Sequence, residues 1–215
     1  KEDKKTVHQV VHFTRAVDPV QPQVSPKVKA RHEQSKNAYP SLNLSEGEYV
    51  ISAVRRHPIG LVIPLIVGTL LIAFSVSVAL NHRAFFEFIG ADNGAVDSST
   101  LVVPLLLFCV LIGLGMFVVY YVYTNSKFFL TNESVIQEIQ ISLFSKLEQT
   151  VSLANIEDAS YTQQGIMQQL FNYGSIRLST EGDETTYRFT YVANPKKHIA
   201  KLNNAVEAFK NGRPV

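Results

Sequence analysis

Two uncharged apolar runs, Ile59–Leu80 and residues 101–123, constrain this chain more than anything else in it. At ~1.5 Å rise per residue each run makes a helix of roughly 33 Å, against a hydrocarbon core of ~30 Å. Each is expected to span a membrane, and the pair to form a helical hairpin. A chain of 215 residues then has room for that hairpin and one small folded domain. The first run lies too deep in the chain, and is too long, for a cleavable signal peptide.

The flanks give an orientation. Arg55, Arg56 and His57 precede the first run and Lys127 follows the second. The connecting loop, 81–100, sets Arg83 against Glu87, Asp92 and Asp97. Lys and Arg near span ends favour the cytoplasm, so both termini are expected inside and the loop outside. Tyr120, Tyr121 and Tyr123 suit the inner interface; Phe85, Phe86 and Phe88 suit the outer one.

Within the runs, Thr69, Ala73 and Ser77 recur at four-residue spacing, as do Cys109 and Gly113. Small residues so spaced let helices approach closely, within one subunit or between two. Neither run carries Asp, Glu, Lys or Arg, which argues against a pump or transporter. Cys109 is the only cysteine, so no intrachain disulfide can form. The net charge of +2 supplies no basic field for nucleic acid.

Residues 1–44 mix Lys, Gln, Pro, Val and Ser without a sustained period, and Pro19, Pro22, Pro26 and Pro40 interrupt any long helix. They read as a flexible cytoplasmic arm, followed by a pre-membrane segment at 45–58. His8 and His12 stand four apart with no third ligand nearby, a chance spacing.

After residue 123 the period changes to two. Leu147, Gln149, Val151 and Leu153 alternate with Lys146, Glu148, Thr150 and Ser152, and Tyr187, Phe189 and Tyr191 with Thr186, Arg188 and Thr190. Half-buried strands are expected at 126–131, 134–142, 146–153, 156–163, 174–180 and 186–192. Short gaps such as 181–184 favour an antiparallel meander. Asn194 as N-cap and Pro195 at the first helical position open a last helix, whose stripe is Ile199, Leu202, Val206 and Phe209; Asn211-Gly212 ends it. The fold class is therefore α+β: two transmembrane helices, then a domain at 124–212 of antiparallel strands closed by a C-terminal helix.

Several ordered motifs resemble one family. Glu46-Gly47-Glu48 leads to Arg55-Arg56-His57, and Tyr123-Thr124-Asn125 opens the domain ahead of Phe128-Phe129-Leu130. Leu153-Ala154-Asn155-Ile156-Glu157-Asp158 resembles a strand pair, and Gln168-Gln169-Leu170-Phe171-Asn172-Tyr173-Gly174-Ser175-Ile176 a signature, of the bacterial pleckstrin-homology (PH) domain membrane proteins with two spans before the domain. Asn194-Pro195 opens the last helix as in that family. Thr131-Asn132-Glu133 stands where the family often has Gly in its first hairpin. The resemblance covers about residues 44–210. It implies a PH-like split β-barrel with a capping helix in a bacterial cytoplasmic membrane, and it supplies no activity.

No catalytic constellation is evident. Glu157 and Asp158 are adjacent, so in a strand they point to opposite faces. No Gly-rich phosphate loop follows a strand, and the six His are scattered. Neither metal, cofactor nor catalysis is expected. Candidate contacts for a partner or lipid are the basic group Lys196, Lys197 and Lys201 and the apolar connector Ile166, Met167, Leu170 and Phe171. The connector's alternative role is core packing. Arg55, Arg56 and Lys127 form the inner-membrane flank. Residues 124–215 balance nine Lys and Arg against nine acids, so charge-driven reading of lipid headgroups is not expected. The expected function is a membrane-anchored scaffold that recruits a protein partner or assembles with itself. The alternative is a small oligomeric pore, although the runs lack a polar stripe to line water.

Overall fold

The computed structural model describes residues 25–90, 98–180 and 186–213. His8, His12, Pro19, Pro22, Asp92, Asp97 and residues 181–184 lie outside them.

Among the described residues, seven strands form two antiparallel sheets. The first has the order β1 (Val50–Arg55), β2 (Lys127–Thr131), β3 (Ser134–Gln140), β4 (Lys146–Ser152). A single 3₁₀ turn, Leu153–Asn155, leads into the second: β5 (Ile156–Thr162), β6 (Tyr173–Thr180), β7 (Thr186–Ala193). The bridge Arg56↔Val192 brings the first sheet's β1 side against β7. The strand expectations hold to within two residues at each end that is described.

β1 was not expected. It lies before the first apolar helix, α2 (Ile59–Leu80), yet pairs with β2 beyond the second, α4 (Ser98–Asn125), in the register Val54↔Phe128 and Arg55↔Lys127. The helical pair is thus an insertion between two adjacent strands of one sheet. A second surprise is α1 (Pro26–Ala38). Pro26 was taken as a helix breaker, but it occupies the first turn, where its missing N–H costs nothing.

The segment from α1 to β1 covers the outer face of the first sheet. Leu42 packs with Phe129 and Ile136, flanked by Tyr39, whose ring meets Phe129 edge-on at 5.1 Å. β2 and β3 are therefore buried on both faces, not one. The main core lies between the sheets and the last helix, α6 (Pro195–Lys210): Phe128, Leu130, Val135, Leu153, Ile176, Phe189 and Val192 meet Ile199, Leu202 and Ala205. Each such fully buried Leu, Ile or Phe contributes about 1.5–3 kcal/mol. Val206 and Phe209 are only partly buried against it. Asn194 does not cap α6 through its side chain. It adopts a left-handed conformation (φ 49°), which Asn tolerates.

α2 and α4 pack along Leu61, Gly68 and Ser75, the buried positions of α2. A Cβ on Gly68 would strike Met116, and one on Gly60 would strike the Tyr123 ring. Thr69, Ala73, Ser77 and Gly113 face outward instead, so the small residues that mediate the contact are not those with four-residue spacing. The connecting segment begins as a short helix, α3 (His82–Phe88).

Candidate functional site

Strand direction gathers the functional candidates at one end of the domain. β1 runs towards this end and into α2; α4 returns to it and into β2. β3 runs back to it, so Gln140 reaches the foot of α4: its N–H donates to Ser126 Oγ at 3.3 Å, while that hydroxyl donates to the Val122 carbonyl at 3.1 Å. β5 ends here, β6 starts here, and β7 ends here before α6 turns away.

The foot of the helical pair is an aromatic joint. The Tyr123 hydroxyl donates to the His57 carbonyl, and the His57 N–H donates to the Tyr191 carbonyl at 2.5 Å. The His57 ring stacks on Tyr173 (5.4 Å), Tyr173 on Tyr191 (6.0 Å), and Tyr191 meets Tyr123 edge-on at 6.0 Å. The Arg56 guanidinium lies 5.4 Å from the Tyr123 ring centre and 5.5 Å from that of Phe189, where ring quadrupoles attract a cation. Burial holds its pKa below the usual arginine value, opposed by the two nearby tyrosines.

Arg55, Arg56 and Lys127 lie together where the helical pair leaves the domain, with unequal exposure. Arg55 is exposed and sits directly opposite Lys127. Arg56 and Lys127 are half-buried. Lys127 is also opposite Glu138, whose buried carboxylate pairs with Lys146 and accepts from Ser41 Oγ at 3.1 Å. Lys196, Lys197 and Lys201 are all exposed on α6. Lys196 and Lys197 occupy its first turn, at the foot; Lys201 lies a turn further off. His198, between them, has its pKa lowered by burial and then by Lys201 and Lys197.

The connector forms a one-turn helix, α5 (Ile166–Leu170). Ile166, Met167, Leu170 and Phe171 are all exposed, so they are not the core packing that was one reading of them. The turn is nonetheless held firmly. The Asn194 N–H donates to the Asn172 carbonyl at 2.8 Å and Asn172 Nδ2 donates to Asn194 Oδ1. Gly174 permits close packing here: a Cβ would collide with the Thr162 carbonyl and approach Pro195 Cγ to 3.2 Å. Sequence reasoning overlooked the His57–Tyr173–Tyr191–Tyr123 joint. Three of its members were noticed only as parts of motifs or strand patterns and one as an interface anchor.

Comparison with family models places the chain. Residues 50–206 match the family model described as "Bacterial PH domain". The chain belongs to that family. The matched region begins at β1 and runs through the helical pair to α6, so the bacterial PH domain here includes a strand on each side of the insertion. A crystal structure of a DUF1696 family protein with a pleckstrin-homology domain, from Shewanella loihica, is similar with a TM-score of 0.31 and 12% identity, over 39% of this chain and 69% of that one. No curated protein matches the chain. PH domains are generally non-catalytic and mediate protein or lipid interactions. Among the described residues of this PH domain, no three His, Cys, Asp or Glu side chains gather where they would hold a metal ion.

Proposed function

We infer that this protein is a membrane-anchored, non-catalytic PH-like module, held at the cytoplasmic face of a bacterial membrane, where it recruits or stabilises a protein partner. One observation carries the reading: two helices long and apolar enough to cross a membrane are inserted between paired strands of a binding domain and locked to it by an aromatic joint. Outside a bilayer, exposed Ile63, Leu70, Phe74, Val103, Leu107 and Leu111 would form an apolar surface far larger than water-facing proteins carry. Arg55, Arg56 and Lys127 at the domain end support an inside orientation, with 81–100 outside. On this reading the two sheets are halves of a split barrel, an arrangement that the Arg56–Val192 bridge supports.

Membrane fractionation tests the anchor. The full chain should stay in the pellet after an alkaline wash; release into the supernatant would sink the reading. Cross-linking at native level in intact cells then tests recruitment. A defined protein should be joined to surface positions of the domain, and cross-links only to lipid or to nothing would remove the partner from the proposal.

A further inference from the structure

We propose that the domain rests on the lipid surface through two apolar tips that flank the foot of the helical pair and dip into the bilayer interface. The inference builds on the anchoring reading and adds a site to it.

The first tip is the β3–β4 hairpin. Phe144 is 97% exposed and Ile141 58%. The second is α5 with its neighbour, where Ile166 is 82% exposed, Leu170 72% and Met167 56%. Grouped on two turns, such side chains form apolar patches of the kind that mark interaction with a membrane or a partner. Their position points to the membrane. In the strand sequence β4–β3–β2–β1, then β7–β6–β5 across the Arg56–Val192 bridge, the helical pair leaves from β1 and β2. One tip lies on each side of it. At ~4.8 Å between strands, the β3–β4 tip stands about 7 Å from the foot and the α5 tip about 12 Å, measured across the sheet.

Height agrees with lateral position. Gln140, the last residue of β3, bonds to Ser126 at the last turn of α4, so residues 141–145 project alongside that turn. Tyr173 stacks on His57, so α5, just before Tyr173, projects alongside the first turn of α2. The end of α4 carries Tyr120, Tyr121 and Tyr123, residues suited to the headgroup level. A bilayer that receives α2 and α4 therefore meets both tips.

The balanced charge of the domain is also partly segregated, with Arg177 and Arg188 opposite each other in mid-sheet and Lys210 and Arg213 at the far end. Lys127, Lys146, Lys196 and Lys197 stand at the tip end. Glu133, Glu157, Asp158 and Glu207 stand at the opposite end, where Lys210 Nζ reaches the Ile156 carbonyl at 2.8 Å. Two acids lie nearer the tips: Glu138, buried and paired with Lys146, and exposed Glu148 opposite it. A basic rim around apolar tips suits an interface, since Lys extends its ammonium to headgroups while its stem stays with the acyl chains. The sequence already offered the connector at α5 as a contact for a partner or lipid, but not the β3–β4 hairpin. The structure extends lipid contact to both tips, by apolar insertion and not by headgroup recognition.

Depth-dependent quenching tests this on the full chain reconstituted in phosphatidylcholine vesicles, with and without phosphatidylglycerol. On a Cys109→Ala background, a nitrobenzoxadiazole probe is attached to single cysteines replacing Ser145, Gln169, Ala154 or Val110. Probes at Ser145 and Gln169, which leave the apolar residues intact, should be blue-shifted and quenched by spin-labelled lipid in both compositions. The Val110 probe, in α4, should be quenched by deep labels, and the Ala154 probe, at the far end, by none. Phe144→Ser with Leu170→Ser should abolish tip quenching while leaving Val110 quenched. If Val110 is quenched but Ser145 and Gln169 are not, the tips do not touch lipid and the inference falls while the anchor stands. An unquenched Val110 overturns the anchor itself, and this inference with it. Blue-shifted tips without lipid quenching mean that protein covers them, which also overturns it.

Discussion

The Tyr123 hydroxyl donates to the His57 carbonyl oxygen at 2.6 Å. Sixty-six positions separate the two residues, and the bond ties the last turn of α4 to the residue pair that opens α2. It closes the helical pair at its foot, directly over the edge where β1 and β2 run side by side. The domain and the helices are consequently one mechanical unit.

Gly60 makes that closure possible. A Cβ there would lie 2.6 Å from Tyr123 ring carbons, closer than packed atoms allow. Gly60→Ala should cost about 1–3 kcal/mol through overpacking, seen as a lower denaturation midpoint in detergent. The same substitution on a Tyr123→Ala background should cost little, because the ring it strikes is gone. Equal cost in both backgrounds would refute the contact.

Glu133, beside the buried Glu48, makes stability depend on pH. The buried Glu48 carboxylate accepts from the Thr131 and Ser134 hydroxyls, both at 2.6 Å, and from the Ser45 N–H at 2.9 Å. Glu48→Ala removes the charged acceptor of both hydroxyls, although Thr131 Oγ1 can still donate to the Ser134 carbonyl at 2.9 Å, and should cost about 1–3 kcal/mol. Glu133 sits nearby, and burial and then the Glu48 charge raise its pKa. A carboxyl raised in the fold binds its proton more tightly there, so its contribution is present below the ordinary carboxylate range and lost as pH rises through the folded value. Glu133→Gln should therefore raise the melting temperature at neutral pH, and the gain should vanish as pH falls below that range. A gain that persists in acid would contradict this assignment.

The last helix should be held mainly by its middle. Leu202 is 1% exposed, and Leu202→Ala should cost about 2–5 kcal/mol. Phe209 lies at the partly buried end, so Phe209→Ala should cost less despite its larger side chain. Chemical denaturation of the two variants checks the order, and the reverse order would mean that α6 docks by its C-terminal turn.

What could be read locally was read well. The period-two runs from Lys127 onward located six strands, and the Ile199–Leu202 stripe located α6, because each pattern is written within a few residues of chain. β1 escaped because its partner β2 stands beyond both apolar helices, and no local pattern announces a pairing across such an insertion. One signal was present: Phe128-Phe129-Leu130 is continuous, not alternating, and a strand apolar on both faces needs cover on both. That cover is Leu42 and Tyr39, from the arm read as flexible. At the candidate site, the basic and apolar groups were named from composition. Their convergence on one end, and the outward turn of Thr69, Ala73 and Ser77, depend on strand direction and helix rotation, which composition does not carry.

Topology should follow the flanks. On a Cys109→Ala background, a cysteine replacing exposed Thr100 should react with an impermeant thiol reagent in intact cells, and one replacing exposed Ala154 should not. Ser126 would be a poor probe, since it is buried and bonded to both Val122 and Gln140. Reaction at Ala154 alone would place the domain outside.

The insertion itself can be removed. A fragment of residues 124–212 lacks β1, so β2 would lose its partner in the register Ala53↔Phe129 and Val54↔Phe128. Val54, 3% exposed in the core, would be missing as well. Such a fragment exposes an apolar edge strand, the kind that pairs with other chains, and it should aggregate. Retaining residues 25–57 and joining His57 to Asn125 through a short Gly-Ser turn restores the β1–β2 hairpin, since Arg55 and Lys127 already stand opposite each other. It also keeps the Leu42 and Tyr39 cover over Phe129. This shortened chain should be soluble, show mixed sheet and helix by circular dichroism, and melt cooperatively. A cooperative melt from 124–212 alone, with no gain on restoring β1, would show that the strand before the first helix is dispensable to the domain.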